Sequence, residues 1–302
     1  MSNTTFRSRR FTLPGPADED LNLTYLDNET TTSPCTLFLV HGFFDHKDTW
    51  SRLGAALGDQ YRLVLPDLLG CGYSDKPSLA HLEPEQRYAP AMHAQYLSYL
   101  IEHLDLRNLV LGGNSLGGGI ALYLWLHYPK IRARTRGLLL IDAAAYPQPL
   151  PGYIAEMAGV LGALLNLPPT RRLLFRLGLA RWSVRRTFRR VFYAPDKIPA
   201  DQVATALDIL QQPNIFYVYQ WMARNLMMPD IDNFVARFKE IDCPTQIIWG
   251  EEDCIISPLA ALQFKESIPH ADLRIIERCG HTPHLECPDQ VVACIREWMP
   301  PI

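Results

Sequence analysis

The chain has 302 residues, 48% of them hydrophobic and 20% charged, with a formal net charge of −3. That length fits one large α/β domain with an insertion, or two ordinary domains, and the apolar content is enough for a sizeable core. The charge balance excludes the basic footprint of a nucleic-acid binder, and no stretch reaches the roughly 18 apolar residues of a membrane span.

The opening MSNTTFRSRRFTLPG has no apolar h-region and no small-residue cleavage site. A soluble, cytoplasmic protein is the resulting expectation. Two short strands are expected around Arg10–Leu13 and Leu21–Tyr25, joined by the turn signal Pro14-Gly15-Pro16. Asp27–Ser33 reads as an ordinary polar loop. A regular alternation follows. Thr36–Val40 is an apolar run ending at His41-Gly42, and a helix from Asp48, as N-cap, to Leu57 comes next. Tyr61–Leu65 is a strand, Tyr88–Leu104 a helix, Asn108–Leu111 a strand, Leu116–His127 a helix and Leu138–Ile141 a strand. After Tyr146 the pattern turns helical, with proline punctuation, up to about Glu240. Alternation then resumes with strand Thr245–Trp249, helix Pro258–Ser267, strand Leu273–Ile276 and helix Asp289–Trp298. Short apolar runs that each lead into a helix predict an α/β fold, a parallel sheet covered on both faces. Residues 1–146 and 241–302 are thus expected to form the core domain, and 147–240 a helical insertion.

The seven cysteines form no CxxC pair and read as free, buried thiols. Cys279, His281, His284 and Cys287 are zinc-ligand types, but their spacing matches no common structural zinc pattern. No metal or other cofactor is expected.

Gly113-Asn114-Ser115-Leu116-Gly117 is a G-x-S-x-G match at a predicted strand-to-helix junction. A serine on so sharp a turn needs glycines two before and two after, where side chains would clash. Ser115 is therefore the candidate nucleophile; the plainer reading is a glycine-rich turn that lets helix and strand pack. A serine hydroxyl needs an adjacent base, and His281 stands on the loop after the last predicted strand, preferred over His284. Asp253, after the preceding strand in Trp249-Gly250-Glu251-Glu252-Asp253, is the candidate acid that holds the imidazole. Asp142, at the end of an earlier strand, is the competitor. Oxyanion donors are expected from the backbone N–H groups of Leu116 and Phe43, with Phe44 behind Phe43. His41 is expected to fix that loop by hydrogen bonding.

Taken together, LFLVHGFF at 37–44, LPDLLGCGYSDKP at 65–77, GNSLGGGIAL at 113–122, WGEEDCIIS at 249–257 and CGHTPHLECP at 279–288 resemble the α/β-hydrolase superfamily over about residues 35–298. The resemblance implies an eight-stranded, mostly parallel sheet with a helical cap after the sixth strand. Within the superfamily, GNSLGG with LLLIDAAAYP is similar to esterase- and lipase-like members, and also to C–C hydrolases of aromatic ring-fission products. The C–C hydrolases usually carry a glycine-rich oxyanion loop, and His41-Gly42-Phe43-Phe44-Asp45 departs from it. Haloalkane dehalogenases and epoxide hydrolases use aspartate where this chain has Ser115. The resulting expectation is a carboxylic ester hydrolase acting on a small-molecule ester through an acyl-enzyme; a ligand-binding receptor on the same fold is the rival from another class.

Asn214–Met228 is aromatic and Met-rich, suited to core packing and to lining an acyl or aryl pocket. Arg171–Arg190 carries eight arginines and no acidic residue. A solvated helical face, pairing with acids on the main domain, and association with a membrane surface or acidic partner are its possible uses.

Overall fold

The computed structural model describes residues 6–15, 20–30, 33, 35–149, 151–228 and 230–299. Strands β1 (Arg7–Pro14) and β2 (Asp20–Asp27) form an antiparallel hairpin. Pro16 of the expected turn lies outside the described residues. β2 also runs antiparallel to β4 (Arg62–Pro66). β3 (Thr36–Val40), β4, β5 (Leu109–Asn114), β6 (Thr135–Ile141), β7 (Thr245–Gly250) and β8 (Ala271–Ile276) are mutually parallel. The sheet order is β1-β2-β4-β3-β5-β6-β7-β8.

Every residue of β3, β5 and β7 is buried, as expected of strands covered on both faces. Their side chains alternate between two layers with the strand period of two. Phe38, Val40, Leu109, Leu111, Leu138, Leu140, Ile247 and Trp249 enter the larger core. It is closed by α2 (Pro90–His103), α3 (Leu116–His127) and α12 (Leu259–Ser267). Leu37, Leu39, Val110, Leu139, Ile141 and Ile248 enter the smaller core, against α1 (Ser51–Leu57) and α14 (Pro288–Trp298). Two short helices, α4 (Pro129–Arg132) and α13 (Pro283–Glu286), precede β6 and α14.

Three expectations change. Asp48 does not cap α1: a 3-10 turn, Lys47–Trp50, intervenes, and the Asp48 carboxylate is taken by the Lys47 ammonium (3.0 Å). Helix α2 starts at Pro90, whose ring suits the first helical position. Asp27 belongs to β2 and is buried, with Arg62 bound to both its carboxylate oxygens (2.7 and 3.2 Å); Thr31, Thr32 and Pro34 of that run and its neighbourhood lie outside the described residues.

Between β6 and β7 the described residues form helices and no strand. These are α5 (Gly152–Ala158), α6 (Val160–Leu165), α7 (Pro168–Arg176), α8 (Leu179–Val191), α9 (Ala200–Ile209), α10 (Ile215–Arg224) and α11 (Ile231–Ala236). Ile215, Phe216, Val218, Tyr219 and Met222 of α10 join the larger core of the sheet. The insertion is thus seated on the sheet through a continuous apolar contact.

One buried carboxylate positions the loops near the strand ends. Asp67, after β4, accepts from Thr24 Oγ1 (2.7 Å), Lys47 N–H (2.6 Å) and Tyr73 N–H (3.0 Å). It fastens the stretches that follow β3 and β4 to β2.

Candidate active site

Ser115 occupies the one-residue turn between β5 and α3, with φ 54° and ψ −120°. A side chain other than glycine is disfavoured there, and the turn is held by the fold. Ser115 N–H donates to Ile141 O (3.0 Å). The helix can turn this close because Gly117 has no side chain: a Cβ there would lie 2.1 Å from Val40 O. Ser115 is half-buried, and Leu116, the next residue, opens α3.

Asp253 and His281 come together from the loops after β7 and β8. Both are buried, and His281 Nδ1–H donates to Asp253 Oδ2 at 2.7 Å. Asp253 Oδ1 accepts from the N–H groups of Ile255 (2.7 Å) and Ile256 (3.1 Å), so the carboxylate is fixed from both oxygens. Nδ1 as donor leaves Nε2 as the basic nitrogen of the neutral ring. Ser115 is tied to this pair through its neighbour: Asn114 Nδ2 donates to His281 O (3.0 Å) and Ile141 O (3.1 Å). Among the described residues Ser115 Oγ forms no hydrogen bond.

The loop after β3 lies against Ser115. A Cβ built on Gly42 would stand 3.3 Å from Ser115 Cβ. His41, fully buried, accepts Leu68 N–H at Nε2 (3.1 Å) and donates from Nδ1 to Gly42 O (2.8 Å). Burial lowers its pKa, so the neutral ring acts as a clamp. Phe44 takes a left-handed φ of 62°. The Phe43 and Phe44 rings, 3.9 Å apart, meet Tyr219 of α10 at 6.2 and 4.5 Å, and Phe44 meets Tyr153 of α5 at 6.5 Å. The insertion therefore places an aromatic wall over the loop.

Asp142, after β6, is the second acidic group here. It is fully buried and takes a positive φ of 42°. Its Oδ1 accepts Gly250 N–H (3.0 Å), and its Oδ2 has no partner. One oxygen each of Asp142 and Asp253 and a nitrogen of His281 lie within 4.8 Å of one another. Burial, and then the charge of Asp253, hold the Asp142 carboxyl well above the ordinary carboxylate range. Two buried carboxylates this close do not both ionise; the charge belongs on Asp253, which has three donors. A raised pKa means that folding takes up a proton at Asp142. Its stabilisation is full below the unfolded value of about 4 and is lost as pH rises toward the folded value. Asp142→Asn should therefore gain on wild type as pH rises above about 4, by at most about 1.4 kcal/mol per pH unit. Urea titrations across pH measure this, and parallel stability curves would show an ionised Asp142.

His284 is placed elsewhere. It is fully buried, its Nε2 bonds Thr49 Oγ1 (2.9 Å), and burial pushes its pKa down to about 3. The Cys279, His281, His284 and Cys287 side chains do not converge as a group. His281 turns to Asp253 and His284 to Thr49, while Cys279 and Cys287 are buried free thiols beside each other.

Sequence reasoning missed Glu286. This buried carboxylate accepts the N–H groups of Gly280 (2.8 Å), Tyr193 (3.0 Å) and Ala194 (2.7 Å). It fastens the loop that carries His281 to the segment after α8, and His281 N–H itself donates to Val191 O (2.8 Å). A lone glutamate in a Cys/His-rich loop gives no local sign of such a role.

Comparison with known proteins places residues 37–294 in a match to the alpha/beta hydrolase family. The chain is similar to Lipase 3 of Moraxella sp. (strain TA144), 28% identical over 87% of this chain and 76% of that protein. It is similar to Lipase 1 of Psychrobacter immobilis, 30% identical over 84% of this chain and 73% of that protein. The solved 2-hydroxy-6-oxo-6-phenylhexa-2,4-dienoate hydrolase from Rhodococcus sp. strain RHA1 is similar in fold, with a TM-score of 0.76 at 20% identity, covering 97% of this chain and 99% of that one.

Proposed function

This chain belongs to the alpha/beta hydrolase family, and on that premise we propose that it is a serine hydrolase cleaving carboxylic esters of apolar acyl or aryl groups. The observation that carries the reading is the 2.7 Å bond from His281 to Asp253, next to a serine on a left-handed strand-to-helix turn. The similarity to two lipases supports ester cleavage.

In the proposed reaction His281 Nε2 takes the Ser115 proton as Oγ attacks the ester carbonyl, and Asp253 holds the ring and steadies its cation. The N–H groups of Phe43 and Leu116 receive the oxyanion, Leu116 from the positive end of α3. The protonated ring then gives its proton to the leaving alcohol. Water, activated by the same histidine, hydrolyses the acyl-enzyme. No cofactor enters these steps. Residues 147–240 serve as the cap, and the Phe43, Phe44, Tyr153 and Tyr219 rings form the apolar side of the substrate site.

The test is turnover of p-nitrophenyl esters from acetate to long acyl chains, beside a vinylogous diketone acid. Ester hydrolysis with a chain-length optimum is the expected result. Turnover of the diketone acid with none of any ester would replace this reading by C–C cleavage, and stoichiometric binding without turnover would replace it by a receptor.

A further inference from the structure

The arginine-rich segment of the insertion is set apart from the rest of the surface by what accompanies it. From Met157 to Pro195 the chain has no acidic residue, and Arg171–Arg190 holds eight arginines. Among the described residues none of the eight forms an ion pair. Their contacts are uncharged: Arg171 donates to Gln212 O (3.2 Å), Arg186 lies over the Trp182 ring (5.0 Å) and Arg190 over the Tyr153 ring (5.1 Å). These cations are therefore not used to bind the insertion to the main domain.

The same segment exposes apolar side chains. Eight of the fourteen exposed large hydrophobic side chains among the described residues fall within residues 160–182. Leu173 (54%), Leu177 (60%), Leu179 (45%) and Trp182 (58%) stand in solvent on α7, α8 and the turn between them. Helix α7 has no buried residue, and α8 buries only Ala180 and Val184. A solvated face does not need leucines and a tryptophan, whose exposure costs free energy. A nucleic-acid face would use the arginines but leave the leucines in water. Cations that flank exposed leucines, with a tryptophan between them, match the chemistry of an anionic bilayer, with its phosphates outside and its acyl chains beneath.

We propose that the face formed by α7 and α8 docks on the surface of an anionic lipid bilayer, its arginines on headgroup phosphates and Leu173, Leu177, Leu179 and Trp182 in the acyl boundary. The position of α8 gives docking a consequence for the site. At its C-terminal end Val191 O accepts the N–H of His281, and Arg190 O accepts the Cys254 thiol. Trp182 lies nine residues before Val191, about 14 Å along the helix axis. A docked face thus brings the loops of Asp253 and His281 close to the bilayer, where an apolar ester would be concentrated. Docking itself does not depend on the reading of the chemistry.

Co-sedimentation of the full chain with phosphatidylcholine vesicles, alone and with phosphatidylglycerol added, tests the proposal. Pelleting with the anionic vesicles only, reversed by high salt, is expected. Arg181→Gln/Arg185→Gln/Arg186→Gln should weaken it on the order of 100-fold, at about fivefold per arginine. Leu177→Gln/Trp182→Gln should weaken it with little change in salt dependence. All five sites are exposed, so circular dichroism and turnover of a soluble ester should be unchanged and report that the variants fold. Equal binding to both vesicle types, binding untouched in the arginine variant, or no vesicle binding but concentration-dependent self-association would each overturn it. The readout is binding, so inactivity on esters would leave this result standing.

Discussion

Ser115→Ala is expected to lower kcat for a p-nitrophenyl ester by about 10⁶-fold. The proposed reaction has one nucleophile, and an alanine at its position leaves His281 with no proton to take. What survives is catalysis from the backbone donors and from binding, on the order of 10³–10⁴ over water. The loss should not come from unfolding. Alanine tolerates the φ of 54° no worse than serine, and among the described residues the hydroxyl makes no hydrogen bond whose loss would be felt. Thermal midpoints of the two proteins should agree closely. Adding His281→Ala to Ser115→Ala should cost little more, because the groups act as a unit. A variant that keeps turnover within tenfold of wild type would remove Ser115 from the mechanism.

Asp253→Asn should lower kcat by about 10⁴-fold with KM little changed. The asparagine keeps the shape, but the carboxylate that fixes the tautomer and balances the ring cation is gone. Asp142→Asn should stay within about tenfold, because asparagine resembles the protonated acid that burial and Asp253 impose there. The contrast is sharp because both side chains lie beside one histidine. If the two outcomes were exchanged, Asp142 would be the orienting acid and the 2.7 Å bond from His281 a feature of the resting protein alone. Measuring kcat and KM for both variants and for the double variant separates these cases. Removal of both carboxylates should match Asp253→Asn.

Much of the architecture was legible along the chain because it rests on local periodicity. Apolar runs such as Thr36–Val40 and Thr245–Trp249, each followed by a helical stretch, demand a sheet covered on both faces, and the observed strands alternate between two cores. The turn at Ser115 was legible for a similar reason: only glycine at 113 and 117 permits so close an approach. Helix boundaries were less secure. Asp48 has the composition of a cap, but Lys47 offers its side chain a cation, and a 3-10 turn takes the place of the first helical turn.

By itself, then, the sequence determined the α/β class, the helical character of 147–240 and the order in which Ser115, Asp253 and His281 occur, since each is written in neighbouring residues. Tertiary structure alone decided what depends on residues far apart. It sends His284 to Thr49 across 235 positions and leaves His281 to Asp253. It sets Asp142 against Asp253, so that one of the two stays protonated, and turns Glu286 into the fastening of the histidine loop. It also leaves Leu173, Leu179, Trp182 and most of the arginines of α7 and α8 exposed. Buried charge must find its partner wherever the fold brings one, and an exposed face is defined by what fails to cover it; neither condition has a period along the chain.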